Sequence, residues 1–229
     1  MSMRFRDRAD AAARLAERLK AEHLAPPCVV LALPRGGVPI GAAVARALGA
    51  PLDLLLVRKI GAPGQRELAV GALVDGDPPE LLVDERLAAL TGADAGYIDA
   101  EVRAERRELE RRRARYLGGR RPLPVQGATV VVVDDGIATG TTMRAVLRAL
   151  RRRDPAHLVL AVPVAPPDTV RALRAEVDRV VCLVEPEPFH AIGLHYADFH
   201  QVSDEEVLAA LAEAEPPARR VRREGPPTA

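Results

Sequence analysis

Short apolar runs alternate along the chain with longer segments in which apolar residues return at helical spacing. Ala12, Leu15, Ala16, Leu19 and Leu24 recur among charges over 6–24, which predicts an amphipathic helix, and Pro26-Pro27 end it. Residues 28–33 read as a strand, 38–48 as a helix closed by Gly49, and 52–57 as a second strand. Strand, helix and strand within about thirty residues make a parallel βαβ unit. Residues 68–74 and 80–83 pair as a hairpin across Asp75-Gly76-Asp77, and 85–90 form a helical turn. A long Arg- and Glu-rich helix follows, from Ala93 or Asp94 to about Arg115, stabilised by pairs near i,i+4. The four valines at 130–133 fit a strand buried on both faces, and 143–151 an amphipathic helix. A strand at 158–164, a helix at 167–175 and a strand at 179–184 continue the alternation. Ser203 and Glu206 have the spacing of a capping box for a last helix over 204–214. The pattern predicts an α/β fold with an open, mostly parallel sheet flanked by helices. Residues 1–214 are expected to form one domain, and the proline- and charge-rich 215–229 a disordered tail.

Composition narrows the partners. A net charge of +1 gives no global reason to expect nucleic acid or an anionic membrane. Acids and bases are interspersed on the long helix, as on a solvated face. All but two of the 33 Lys and Arg residues are arginine, so the lysines, Lys20 and Lys59, are the more informative cations. Cys28 and Cys182 adjoin valine-rich runs and read as buried free thiols. No run of ~18 apolar residues and no apolar leader occur, which predicts a cytoplasmic protein; homo-oligomerisation stays open.

The candidate chemistry begins at 130–142. A buried strand ends in Asp134-Asp135 and passes through a loop of small residues into a helix. Ala138, Thr139, Gly140, Thr141 and Thr142 offer amides and hydroxyls to a phosphate, whose charge the helix N-terminus favours. Two carboxylates would repel that phosphate on contact. They suit a neighbouring hydrogen-bond donor such as a ribose diol, or a bound Mg²⁺. A phosphorylated sugar satisfies both halves. The chain lacks G-x-x-x-x-G-K-[ST], which excludes a P-loop.

These thirteen residues resemble the phosphoribosyl-pyrophosphate (PRPP) motif of type I phosphoribosyltransferases. The resemblance implies that Asp134 and Asp135 hold the ribose hydroxyls and Ala138 to Thr142 the 5′-phosphate. It assigns pyrophosphate to the loop of Arg35, Gly36 and Gly37, whose strained peptide would be Pro34–Arg35. Arg58 and Lys59, expected at a strand end facing the same crevice, resemble the Arg-Lys before the flexible loop of orotate and adenine phosphoribosyltransferases. Here that loop would be about 60–67, without a second lysine. Half of the six aromatic residues, Phe189, Tyr196 and Phe199, cluster near the C-terminus. About 185–202 loosely resembles the small C-terminal hood of hypoxanthine-guanine enzymes, with Phe189, Tyr196 and Asp198 expected at the base; the structural alternative is an aromatic cap over the sheet edge. The implied activity is pentosyl transfer from PRPP, with Mg²⁺, to a purine or pyrimidine, Lys59 and Arg35 serving the leaving pyrophosphate, within nucleotide metabolism. The alternative is a PRPP- or nucleotide-sensing regulator without turnover.

Overall fold

The computed structural model describes residues 4–118 and 120–214. Five strands form the parallel sheet, in the order β2 (Leu52–Leu54), β1 (Cys28–Ala32), β6 (Thr129–Val133), β7 (His157–Val164) and β8 (Arg179–Val184). Every pairing within it is parallel, and Ala32, Val133 and Ala161 lie in register across the three middle strands. The carboxyl ends of β1 and β6 are thereby brought side by side.

The valine run supplies both faces of this sheet. Successive strand residues point to opposite sides. Val131 and Val133 therefore pack with α1 (Arg8–Lys20) and α2 (Gly37–Leu48), while Val130 and Val132 pack with α5 (Thr141–Arg151). All four are fully buried. At roughly 1.5–3 kcal/mol for each large apolar side chain buried, this run alone anchors the acidic pair that follows it. Helix α6 (Pro167–Leu173) links β7 to β8, and α7 (Asp204–Ala214) packs on α2. The capping box forms as expected: Glu206 N–H donates to Ser203 Oγ over 3.2 Å, and Ser203 N–H to Glu206 Oε2 over 2.7 Å.

One region departs from the sequence reading. The strand expected over 52–57 stops at Leu54: Leu55 N–H still donates to the Ala32 carbonyl over 2.9 Å, but the Leu56 carbonyl already accepts from Asp75 N–H over 2.9 Å. The chain then enters a separate antiparallel sheet of β3 (Val57–Ala62), β4 (Gln65–Val74) and β5 (Glu80–Val83). The segment expected as a flexible loop at 60–67 is the tip of the β3–β4 hairpin, turning at Pro63-Gly64. Gly64 has φ 71°, a left-handed conformation that favours glycine. Register shifts at Ile60/Gly61 and Gly61/Ala62 hide the two-residue alternation that would have shown a strand.

Helix α3 (Glu85–Thr91) is followed by α4 (Ala95–Leu117), whose N-cap Asp94 accepts from Tyr97 N–H over 2.8 Å. Among the described residues no helix is long and apolar enough to cross a membrane. The tail expected over 215–229 lies outside the described residues.

Candidate functional site

Strand β6 hands the chain to a loop that faces a cavity of about 160 Å³, lined by Leu33, Asp134 and residues 136–143. The loop is tied down at two points. Ile137 N–H donates to the Val164 carbonyl over 2.9 Å, and Thr169 Oγ1 donates to the Ala138 carbonyl over 2.7 Å. Gly140, with φ 73°, turns the chain into α5, and a Cβ there would stand 2.8 Å from Thr169 Cγ2. Glycine brings no side chain to cap α5. The first-turn amides of Thr141, Thr142 and Met143, which no helical carbonyl reaches, are thereby available to an anion.

The Pro34–Gly37 turn meets this loop edge to edge. Leu33 N–H donates to the Val133 carbonyl over 3.0 Å, and the Pro34–Arg35 peptide is cis. A Cβ on Gly36 would lie 1.9 Å from Asp135 Oδ2, and one on Gly37 2.9 Å from Asp134 Cα. Only glycine permits this approach, and it brings two motifs about a hundred residues apart into contact. Arg35 is half-buried and leans towards α7, its Nη1 3.9 Å from Asp204 Oδ1.

The two aspartates differ in their partners. Asp134 lines the cavity, and its Oδ1 accepts the Asp135 N–H over 2.8 Å. Asp135 is turned inward. Its Oδ2 accepts from Arg8 Nε at 2.9 Å and Arg8 Nη2 at 2.8 Å. Arg8 Nη1 donates to the His200 carbonyl over 2.7 Å, and its guanidinium lies 4.0 Å from the centre of the Phe199 ring. Burial pushes the Asp134 carboxyl well above the ordinary range, and the Asp135 charge adds to the shift. Burial also raises Asp135, with the Arg8 hydrogen bonds and charge pulling against it. The sequence reading placed both carboxylates on the sugar. The structure leaves Asp134 open to the cavity and joins Asp135 to Arg8.

Arg8 was missed, although a signal existed. It shares the helical face of Ala12, Leu15, Ala16 and Leu19, where a charge needs a buried partner. In so arginine-rich a chain, one more arginine did not stand out.

Arg58 and Lys59 do not share a crevice. As neighbours in β3 they point to opposite faces. Arg58 Nε donates to Glu105 Oε2 of α4 over 2.5 Å, and Arg58 lines neither cavity that the 138–142 loop borders. Lys59 is exposed and borders a second, larger cavity of about 870 Å³ together with Thr139, Thr141 and Thr142.

The segment at 185–202 is irregular, with a 3₁₀ turn at Ile192–His195, and its aromatic residues divide in two. Tyr196, 1% exposed, is packed between Phe5 and Phe199 at centroid distances of 5.3 and 4.9 Å. Its hydroxyl donates to the Asp135 carbonyl over 2.6 Å. Tyr196 therefore has no free face for a base, contrary to the sequence reading, because the N-terminal Phe5 covers it. Phe189 is half-buried and stacks on His195, with centroids 5.4 Å apart and planes at 17°. Asp198 is exposed and accepts the His200 N–H over 3.0 Å.

Residues 5–198 match the family model described as the phosphoribosyl transferase domain. Two Mycobacterium tuberculosis proteins, from strains CDC 1551 / Oshkosh and ATCC 25618 / H37Rv, have names that put them provisionally among the phosphoribosyl transferases. Each is 45% identical over 210 residues, a match covering 92% of this chain and 47% of the relative. The chain thus spans about half the length of the curated relatives it matches. The crystal structure of TT1426 from Thermus thermophilus is 46% identical, with a TM-score of 0.79, over 92% of this chain and 99% of that one. The domain match over 5–198 and the shared fold agree: this chain belongs to the type I phosphoribosyltransferase family.

Proposed function

We propose that the chain transfers ribose 5-phosphate from PRPP to a nitrogenous base, purine or pyrimidine, and releases pyrophosphate. The observation that carries this reading is the joining of Asp134, the uncapped α5 start and the Gly36-Gly37 turn at one sheet edge. The loop at 138–142 holds the 5′-phosphate through amides and threonine hydroxyls. Asp134 accepts from the ribose diol, and Asp135, fixed by Arg8, sets its orientation. Pyrophosphate lies on the 35–37 turn. Arg35 and Lys59 are the cations that meet the charge growing on it as the C1′–O bond breaks.

The reaction needs no protein nucleophile. The transition state is oxocarbenium-like, and the chain's task is to align PRPP and base and to exclude water. Mg²⁺ accompanies PRPP in this reading. It would be held mostly by substrate oxygens and water, with Asp134, which lines the cavity, as its carboxylate. When bound, the ion would neutralise pyrophosphate. Phe189 and Asp198 are the hood groups proposed for the base.

The test is pyrophosphate release from PRPP with a panel of purines and pyrimidines. Release with one base, lost in Asp134→Asn, supports the transferase. PRPP binding with no release for any base supports the second reading, a PRPP sensor, which the burial of Tyr196 and the His195-stacked Phe189 favour.

A further inference from the structure

The phosphate loop is open on two sides. Thr139, Thr141 and Thr142 line both the smaller cavity, which also holds Asp134, and the larger one of about 870 Å³. The larger cavity runs along α5 towards Arg152 and is closed opposite by the antiparallel sheet. Its four cations differ in what neutralises them. Arg148 Nη2 lies 2.8 Å from Glu176 Oε1, and Arg152 Nη1 2.9 Å from Glu80 Oε1, so both charges are met. Arg144 Nε is 3.9 Å from Glu176 Oε1, too far for a hydrogen bond. This nitrogen is also buried, with no hydrogen-bond partner among the described residues. Lys59 has no ion pair among the described residues, and it faces the same space. Of the two carboxylates in the lining, Asp84 accepts the Leu87 N–H at 3.0 Å and Glu85 is the other.

Arg144 is 42% exposed and only loosely paired with Glu176, and Lys59 is unpaired among the described residues, so the groove carries positive charge that an anion beyond the 5′-phosphate would meet. Pyrophosphate in the proposed reaction lies on the 35–37 turn, which does not line this groove; the exposed Lys59 would serve pyrophosphate when PRPP is bound and the groove when a nucleotide takes its place. The groove therefore lies where a chain of phosphates attached to the 5′-phosphate itself would run. We infer that the chain binds nucleoside 5′-di- and triphosphates, with the first phosphate in the 138–142 loop and the outer phosphates in the groove on Lys59 and Arg144. Such a ligand shares the loop with PRPP and excludes it, so the site would report or regulate by nucleotide charge state. The inference rests on the phosphate-loop reading above.

Calorimetry with the mono-, di- and triphosphates of adenosine and of uridine tests it, the two series separating phosphate from base. Affinity is expected to rise at least tenfold from mono- to triphosphate in whichever series binds, with the triphosphate displacing PRPP. Arg144→Ala should remove most of that increment and leave monophosphate affinity unchanged. Arg144→Gln serves as a second variant should the first fold poorly. Equal affinities for mono- and triphosphate, an increment intact in a folded Arg144 variant, or simultaneous binding of PRPP and triphosphate would each overturn the groove assignment while leaving the loop reading standing. Failure of PRPP and all monophosphates to bind would remove the loop reading, and the groove with it.

Discussion

The parallel and antiparallel sheets border the same 138–142 loop and are built on opposite terms. The parallel sheet puts Asp134 and Asp135 at the end of a strand with every side chain buried, and Asp135 is held by neighbours from α1 and the 185–202 segment. The antiparallel sheet has only partly buried side chains along β5 and an exposed Lys59 on β3. Groups on the first sheet are over-determined, so changing them should cost stability or ground-state binding. Lys59 on the second is exposed and has no ion pair among the described residues, so changing it should cost the chemical step alone.

The strongest test of the first half is Arg8→Ala. It leaves Asp135 charged, buried and without its guanidinium, and breaking a buried pair in this way costs about 3–5 kcal/mol. Chemical denaturation should show a loss of this order, with PRPP binding falling as the 35–37 turn loosens. The double variant Arg8→Met with Asp135→Asn should recover most of the stability, since no orphaned charge remains. A single variant as stable as the parent would mean that Arg8 does not brace the site.

Asp134→Asn probes the same sheet without orphaning a charge. PRPP affinity should fall by about 1.5–3 kcal/mol for each charged hydrogen bond lost, measured by calorimetry. Stability should move the other way. The Asp134 pKa is raised in the folded state, so the native protein holds a proton that the unfolded chain has already released. Its contribution to stability is present at low pH and lost as pH rises from the unfolded value, near 4, through the folded one. At pH 7 the asparagine variant escapes that cost and should melt higher than the parent. A lower melting temperature would show that the carboxylate is satisfied as a charge.

Lys59→Ala tests the second half. The side chain is exposed, so the melting temperature should not change. kcat is expected to fall about tenfold, roughly 1.4 kcal/mol, with PRPP affinity nearly unchanged. A raised KM at equal kcat would make Lys59 a ground-state binding group, like those of the parallel sheet.

The same contrast explains what the sequence disclosed. A buried parallel strand is a continuous apolar run, so 130–133, the acidic pair and the glycines at 36 and 37 could be recognised from local pattern. The hairpin tip could not, because bulges at Gly61 and a Pro63-Gly64 turn erase alternation. The pairing of Asp135 with Arg8 joins positions 127 apart and has no local signature at all. Tyr196 was misread for a related reason: the residue that covers it, Phe5, comes from the far end of the chain, where the two form an isolated parallel bridge.

Phe189 belongs to neither sheet, and its variant asks which rule the 185–202 segment obeys. The ring is half-buried and already shares one face with His195. A base stacking on the other face would contribute at the lower end of the ~1–3 kcal/mol known for base–aromatic contacts. Phe189→Ala should then weaken the base by about 1 kcal/mol, leave PRPP affinity alone, and barely shift the melting temperature. If Phe189 is instead part of the cap built on Phe5, Tyr196 and Phe199, the variant should melt lower and lose PRPP and base together, because that cap sits on the Asp135 carbonyl through Tyr196. Measuring stability and both affinities on this one protein separates the outcomes. Parallel loss of all three would place the segment with the over-determined parallel sheet and remove Phe189 from the base site.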